Sequence, residues 1–226
     1  MDIQIQIKMN KALYLRDPMD SDLGKNIISH SILMIDEYGF ESFTFKKLAQ
    51  KIESTEAGIY RYFENKHRLL IYLLDWYWSW LEYLIIFKTN NIDDPSLQLK
   101  IIIEILTLDT FKEIKEDQLI DYKILHQIVI SEGSKAFLTK NVELDNKQQL
   151  FKPYKDLCRH IAGIISEFNP GYPFPRSLAT TIIEMSHYQN FFMNNLPSLT
   201  DFGEEKDVQA INQFLINLLF SSITKQ

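Results

Sequence analysis

Three hydroxyl residues stand at the mouths of two short apolar-periodic runs between Phe43 and Lys66. Thr44 precedes Phe45, Leu48, Ala49 and Ile52, which recur at helical spacing, and Leu48 is placed to staple back onto Phe43. Ser54 and Thr55 precede a second run with Ile59 and Phe63 on its inner side. A hydroxyl at a helix N-terminus caps free backbone N–H groups. With an ammonium close by, as Lys46 is to Thr44, the set has the components of a phosphate clamp. Thr55, Glu56, Ala57 and Gly58 make up the outward first turn of the second run, suited to hydrogen bonding at base edges. Glu56 repels phosphate but can accept from a cytosine amino group. Gly58 weakens its helix and permits close approach. Two helices joined by a three- or four-residue turn make a helix-turn-helix, whose second helix enters a major groove.

Other chemistry finds little support. The chain has no Gly-rich phosphate loop, no Gly-x-Ser-x-Gly elbow and no His-Glu-x-x-His. His30, His67, His126, His160 and His187 show no ligand spacing, which leaves open only a site assembled by folding from His126, His160 and His187. Cys158 lies on an apolar stripe and reads as packing. The expectation is a protein that is not an enzyme and carries no cofactor or metal.

The elements that must position these residues are all helical. A first helix spans about Asp22 to Tyr38 with Ile28, Ile32 and Ile35 inward, Gly39 at its C′ position and Phe40 closing the cap. After Asn65 as N-cap, a long helix reaches about Lys88, roughly 34 Å at 1.5 Å per residue. Its apolar middle raises a membrane reading, which Asp75, Ser79 and Glu82 on one stripe argue against. Asp94 and Pro95 start a helix to about Phe111 that is apolar on nearly every side. Further helices are expected at about Asp117 to Ser131, through the stripe Leu150 to Phe168, at about Ser177 to Asn194 and at about Glu204 to Ile223, with Gly133 to Asp145 a loop or short turn. Residues 1–20 form an arm in which Ile3, Ile5 and Ile7 alternate with polar residues, read chiefly as a flexible tail.

The stretch Ile59-Tyr60-Arg61-Tyr62-Phe63-Glu64-Asn65-Lys66 resembles the end of the N-terminal DNA-binding domain of the TetR (tetracycline repressor) family. Upstream, Tyr38-Gly39-Phe40 and Thr44-Phe45-Lys46-Lys47-Leu48-Ala49 match that family's Gly-Phe and Thr-x-x-x-Ile-Ala signals. Tyr62 replaces the usual His, and Glu56 stands where Lys or a neutral residue is frequent. The resemblance implies an all-α fold: a three-helix DNA-binding domain joined by the long helix to a C-terminal helical domain for ligand binding and dimerisation. It implies backbone phosphate contacts for Tyr60, Tyr62 and Lys66, and further ones at Thr44 and Lys46. It also implies a homodimer through the helices near 177–194 and 204–223, and a ligand pocket among the helices that follow the DNA reader. Aromatic residues there, Trp76, Trp80, Tyr83, Tyr122, His126 and Tyr154, suggest a small apolar or aromatic ligand. The expected division is an arm at 1–20, a DNA-binding domain at 21–66 and an effector and dimerisation domain at 67–226.

Composition agrees with a soluble helical protein of 226 residues: 46% hydrophobic, seven Gly and seven Pro, mean hydropathy -0.16. One cysteine fits a reducing cytoplasm, and MDIQIQIKMN has neither the basic nor the apolar region of a signal peptide. The net charge of -6 hides a division. Residues 23–70 carry seven Lys and Arg against six Asp and Glu, while residues 71–226 carry fourteen against twenty. The weak positive excess falls on the expected DNA reader. The resemblance, taken with these features, implies a repressor that binds a palindromic operator as a dimer and is released by a small apolar or aromatic ligand. The alternative is a DNA-binding regulator or adaptor with no such ligand.

Overall fold

In the computed structural model, which describes residues 7–107 and 120–224, every regular element is helical. The helices are α1 (Asp22–Ser42), α2 (Phe45–Lys51), α3 (Glu56–Tyr60), α4 (Lys66–Thr89), α5 (Pro95–Thr107), α6 (Tyr122–Glu132), α7 (Ser134–Phe137), α8 (Val142–Lys147), α9 (Lys152–Phe168), α10 (Pro175–Asn195) and α11 (Val208–Ile223). By compactness the chain divides into two units, residues 1–80 with 114–153 and residues 81–113 with 154–226. This division differs in kind from the functional boundaries expected at 21–66 and 67–226, because the run from Tyr122 to Lys147 belongs to the same compact unit as α1, α2 and α3.

In the first unit, α1 buries Ile27, Ile28, Ile32 and Ile35. It breaks at Gly39, whose φ of 75° suits glycine, and one irregular turn carries the chain to Phe43. Ser21 caps α1, Thr44 caps α2 and Thr55 caps α3, each hydroxyl accepting from the N–H three residues on. Phe43, Leu48, Ile59 and Phe63 are all buried beneath the two short helices. Between α2 and α3 the chain turns through Glu53 at φ 52°, in the left-handed region.

The arm is not a free tail from Ile7 onward. Asn10 and Asp17 cap two single 3-10 turns, and Met9, Leu13 and Pro18 are buried. Leu15 N donates to Tyr62 O at 2.8 Å, and the Asn10 amide donates to the carbonyls of Gln148 and Gln149. At Gly24 a Cβ would lie 2.1 Å from Pro18 O, so glycine is what lets the arm cross α1. Burial of Leu13, invisible to a reading based on composition, overrides the tail-like character of the segment. The alternation at Ile3 and Ile5 lies outside the described residues.

The expected loop at 133–145 holds α7 and α8. These helices are too short to stand on propensity. Tertiary contacts hold them instead: Ala136 is buried, and buried Asp145 is ion-paired with Arg68, Oδ1 lying 3.0 Å from Nη1, and lies 3.5 Å from His67 Nε2.

In the second unit α5 packs against both α10 and α11, and buries Leu99, Ile102, Ile103, Ile105 and Leu106. Asp94 caps it through Ser96 N. Its expected extension to Phe111, and the expected start of the next helix at Asp117, lie outside the described residues. Asn169 stops α9, donates to Ile223 O at 2.7 Å and accepts from Gly171 N, tying the ends of two helices. Among the described residues α4 alone is long and apolar enough to cross a membrane, but most of its apolar stretch is packed inside the protein.

Candidate functional site

Short range geometry around α2 and α3 separates the expected DNA-facing residues into two groups. Thr44, Lys46, Thr55, Glu56 and Ala57 are exposed, and Ser54 and Gly58 are half-buried. Tyr60 is 46% exposed, its ring edge resting on Phe45 at 5.1 Å between centroids, so the hydroxyl end is held by packing at its base. The first turn of α3 thus presents the side chains of Thr55, Glu56 and Ala57, with the Gly58 N–H taken up by the Thr55 cap. Lys51 and Arg61 are exposed as well, cations that the motif did not single out. Their charge was the available signal. Lys47 is engaged, its ammonium donating to Ser42 O at 2.8 Å.

Tyr62 and Lys66 face inward, which corrects their expected place on phosphate. Tyr62 is 2% exposed, its hydroxyl is 2.7 Å from Ser21 Oγ, and the Arg16 guanidinium lies 5.4 Å over its ring. A buried phenol needs a hydrogen-bond partner, and the cap serine of α1 supplies it. Lys66 Nζ donates to Phe40 O, Glu41 O and Phe43 O at 2.9, 3.1 and 3.2 Å and sits 4.7 Å over the Phe40 ring. These carbonyls belong to the broken end of α1. An ammonium has three donors, and all three are spent there. The same end is met by Glu132 of α6, whose Oε1 accepts from Phe40 N at 3.1 Å while Oε2 pairs with Lys135 at 2.7 Å. Irregular backbone after Gly39 is therefore satisfied from outside, by one cation and one anion.

The six residues suggested for a ligand divide between the units. In the first, Trp76 Nε1 donates to Tyr122 Oη at 3.3 Å, and Trp80 lies 4.6 Å from the Tyr122 ring. Tyr77 hydrogen-bonds His126 Nδ1 at 2.7 Å and stacks on its ring. Trp76, Tyr77 and Trp80 are buried, so these rings occupy one another's faces. Beside them on α4, Asp75 is 2% exposed and one carboxylate oxygen has no hydrogen-bond partner; burial pushes its pKa up to about 8. In the second unit Tyr83 stacks on Phe87, and Tyr154 donates to Glu184. Burial raises the Tyr154 pKa, and burial likewise pushes the Cys158 thiol up to about 11, so this cysteine is a poor nucleophile. Among the described residues no three His, Cys, Asp or Glu side chains gather for a metal.

The second unit also holds an open groove of about 580 Å³. Its walls are the last turns of α4, Gln98 of α5 and one face of α9. Eight of its eleven lining residues are polar or charged, and none of the six aromatic candidates is among them.

The N-terminal part of the chain, residues 27–73, matches the family model described as bacterial regulatory proteins, tetR family. No curated protein matches the sequence. Among solved structures, the fold is similar to a tetR-family regulatory protein from Rhodococcus RHA1, with TM-score 0.62, 11% identity, and coverage of 90% of this chain and 97% of that one. It is similar to FadR from Bacillus subtilis in complex with stearoyl-CoA, with TM-score 0.61, 18% identity, and coverage of 88% and 98%. It is similar to AibR in complex with isovaleryl coenzyme A and operator DNA, with TM-score 0.59, 14% identity, and coverage of 88% and 99%. At these identities the likeness establishes the fold.

Proposed function

Taking the chain as a tetR-family regulator, by its DNA-binding domain at residues 27–73 and its all-helical fold, we propose that it represses transcription by binding a palindromic operator as a homodimer. The observation that carries this reading is the exposed, hydroxyl-capped first turn of α3 standing beside Thr44, Lys46 and Tyr60. Residues 21–66 serve as the reader, and residues 67–226 serve for dimerisation and ligand response. α10 and α11 are the dimerisation pair, with Tyr188 and Phe214 among their outward apolar residues. The chain works in the cytoplasm.

A small ligand releases the operator. AibR, complexed with isovaleryl coenzyme A and operator DNA, and FadR, complexed with stearoyl-CoA, support a ligand-responsive second domain. The ring cluster around Trp76 and Trp80 is packed on itself, which favours the ligand-free alternative for that part of the protein. The groove of the second unit favours the ligand reading.

Selection of bound duplexes from a random pool, with sedimentation of the protein alone, tests the proposal. The expected result is a dimer and an inverted repeat whose half-sites are about 34–36 Å apart or a multiple of that. A monomer that selects no inverted repeat overturns it.

A further inference from the structure

The groove in the second unit is of the size that holds a small molecule; its volume of about 580 Å³ falls inside the usual range of roughly 300–1,000 Å³. Its lining has a definite chemistry. Glu82, Asp156 and Glu167 contribute three carboxylates against one guanidinium, Arg159. That guanidinium is bonded to Asp156 within the wall itself. Thr89 and Asn90 add a hydroxyl, already donated to Ile85 O, and an amide, and the wall also holds two acceptor atoms. Gln98 donates its amide nitrogen to Ile92 O at 2.6 Å, which fixes the amide so that Oε1 is left to accept. That oxygen is buried and has no hydrogen-bond partner. His160 Nε2 is likewise buried and unpartnered, and burial holds the ring towards its neutral form against the pull of Glu167. A neutral imidazole keeps one acceptor nitrogen. Ile86 and Ile164 add apolar wall.

Gly163 supplies a second observation. It lies inside α9, where glycine costs helix stability relative to alanine. It does not have a positive φ, and a Cβ built on it meets nothing within 4 Å. Neither a turn nor a close packing contact accounts for this glycine. The space in front of it is the groove.

We propose that this groove binds an organic amine, a cation rich in hydrogen-bond donors with an apolar body. The carboxylates meet the ammonium, Gln98 Oε1 and His160 Nε2 accept from its N–H groups, and Ile86 and Ile164 cover its carbon skeleton. The same charge repels phosphates and carboxylates, so a coenzyme A ester is disfavoured here. Only the consequence for DNA rests on the reading of the chain as a ligand-responsive regulator.

Calorimetry on the full chain with 4-phenylbutylamine, 4-phenylbutanol, 4-phenylbutyrate and isovaleryl coenzyme A reads the charge preference directly. The amine is expected to bind at least about tenfold tighter than the alcohol, as one charge-assisted contact warrants. The two anions are expected to bind more weakly still. Gly163→Leu fills the groove and abolishes amine binding, while Gly163→Ala serves as the folding control, with a melting temperature at or above the parent's. Should Gly163→Leu melt early, the pair Glu82→Gln and Glu167→Gln replaces it and is expected to erase the preference for amine over alcohol. Equal binding of amine and alcohol, tighter binding of either anion, or amine binding that survives both variants overturns the proposal. Amine binding that depends on Gly163 but leaves operator affinity unchanged upholds the site and overturns ligand control of DNA binding.

Discussion

Lys66 donates all three of its ammonium hydrogens to the frayed end of α1. Its spacing after the helix-turn-helix was legible in the sequence, but its direction was not, because the carbonyls it serves exist only once Gly39 has broken the helix. Lys66→Met should lower stability to urea by about 1–3 kcal/mol, the cost of part-buried acceptors left without partners. It should leave the slope of DNA affinity against salt unchanged. Exposed Lys46 behaves in the opposite way: Lys46→Ala leaves stability within about 0.5 kcal/mol and flattens the salt slope by about one unit. Tyr62 teaches the same lesson, since an outward-pointing phenol and a buried one leave identical traces in a motif. Asp75 was legible only as a polar mark on an apolar helix; its burial makes it a titrating group. Its folded pKa, about 8, lies above the ordinary carboxylate value near 3.9. Stability is therefore full below about pH 4 and falls as pH rises towards 8. Asp75→Asn should match the parent near pH 4 and exceed it at pH 8 by a few kcal/mol on the order of magnitude, read from denaturant midpoints across that range.

Among the elements, the long amphipathic runs were the easiest to read. α1, α4, α5, α9, α10 and α11 announce themselves by apolar periodicity, and Thr44, Thr55, Asn65 and Asp94 mark starts that the hydrogen bonds bear out. α7 and α8 could not be read, because Asp145 is buried only by pairing with Arg68, 77 positions away in the chain and on another helix. The turn between α2 and α3 was read as a break without its strain. Glu53 holds φ 52°, a region in which a side chain costs about 1 kcal/mol. Glu53→Gly removes that clash and loosens the unfolded chain, two effects of opposite sign. The expected net is a gain of up to about 1 kcal/mol in urea unfolding, whereas Glu53→Ala, still in the left-handed region, should show none.

For the molecule as a whole, class and order of helices were readable from scarce Gly and Pro, a single Cys and the periodic runs, and the structure agrees with the all-helical expectation. How the chain gathers into compact units was not readable. Sequence order sets 122–147 beyond the long helix, whereas compactness joins it to the head that α1, α2 and α3 form. The groove was missed for a related reason. Its residues alternate with the apolar stripe of α9 on a face that looks like an ordinary solvated surface until α4 and α5 wall it in. The arm was misjudged because its anchors are remote. Removing residues 1–20 should expose the surfaces that cover Met9 and Leu13 and cost about 2–4 kcal/mol, at roughly 1.5–3 kcal/mol for each well-buried apolar side chain, less the entropy of ordering the segment. Thermal unfolding of the shortened chain checks this, with an unchanged midpoint as the contrary result.

That arm also has a place in time. Asn10 leaves the ribosome well ahead of the carbonyls it grips, at Gln148 and Gln149, which lie 138 and 139 residues later. At a synthesis rate of about 5–20 residues per second, roughly 7–28 s pass before its partners exist. A segment made ahead of its partners is thus fastened only after them, and throughout that interval the Asn10 amide lacks the carbonyls it grips in the folded protein.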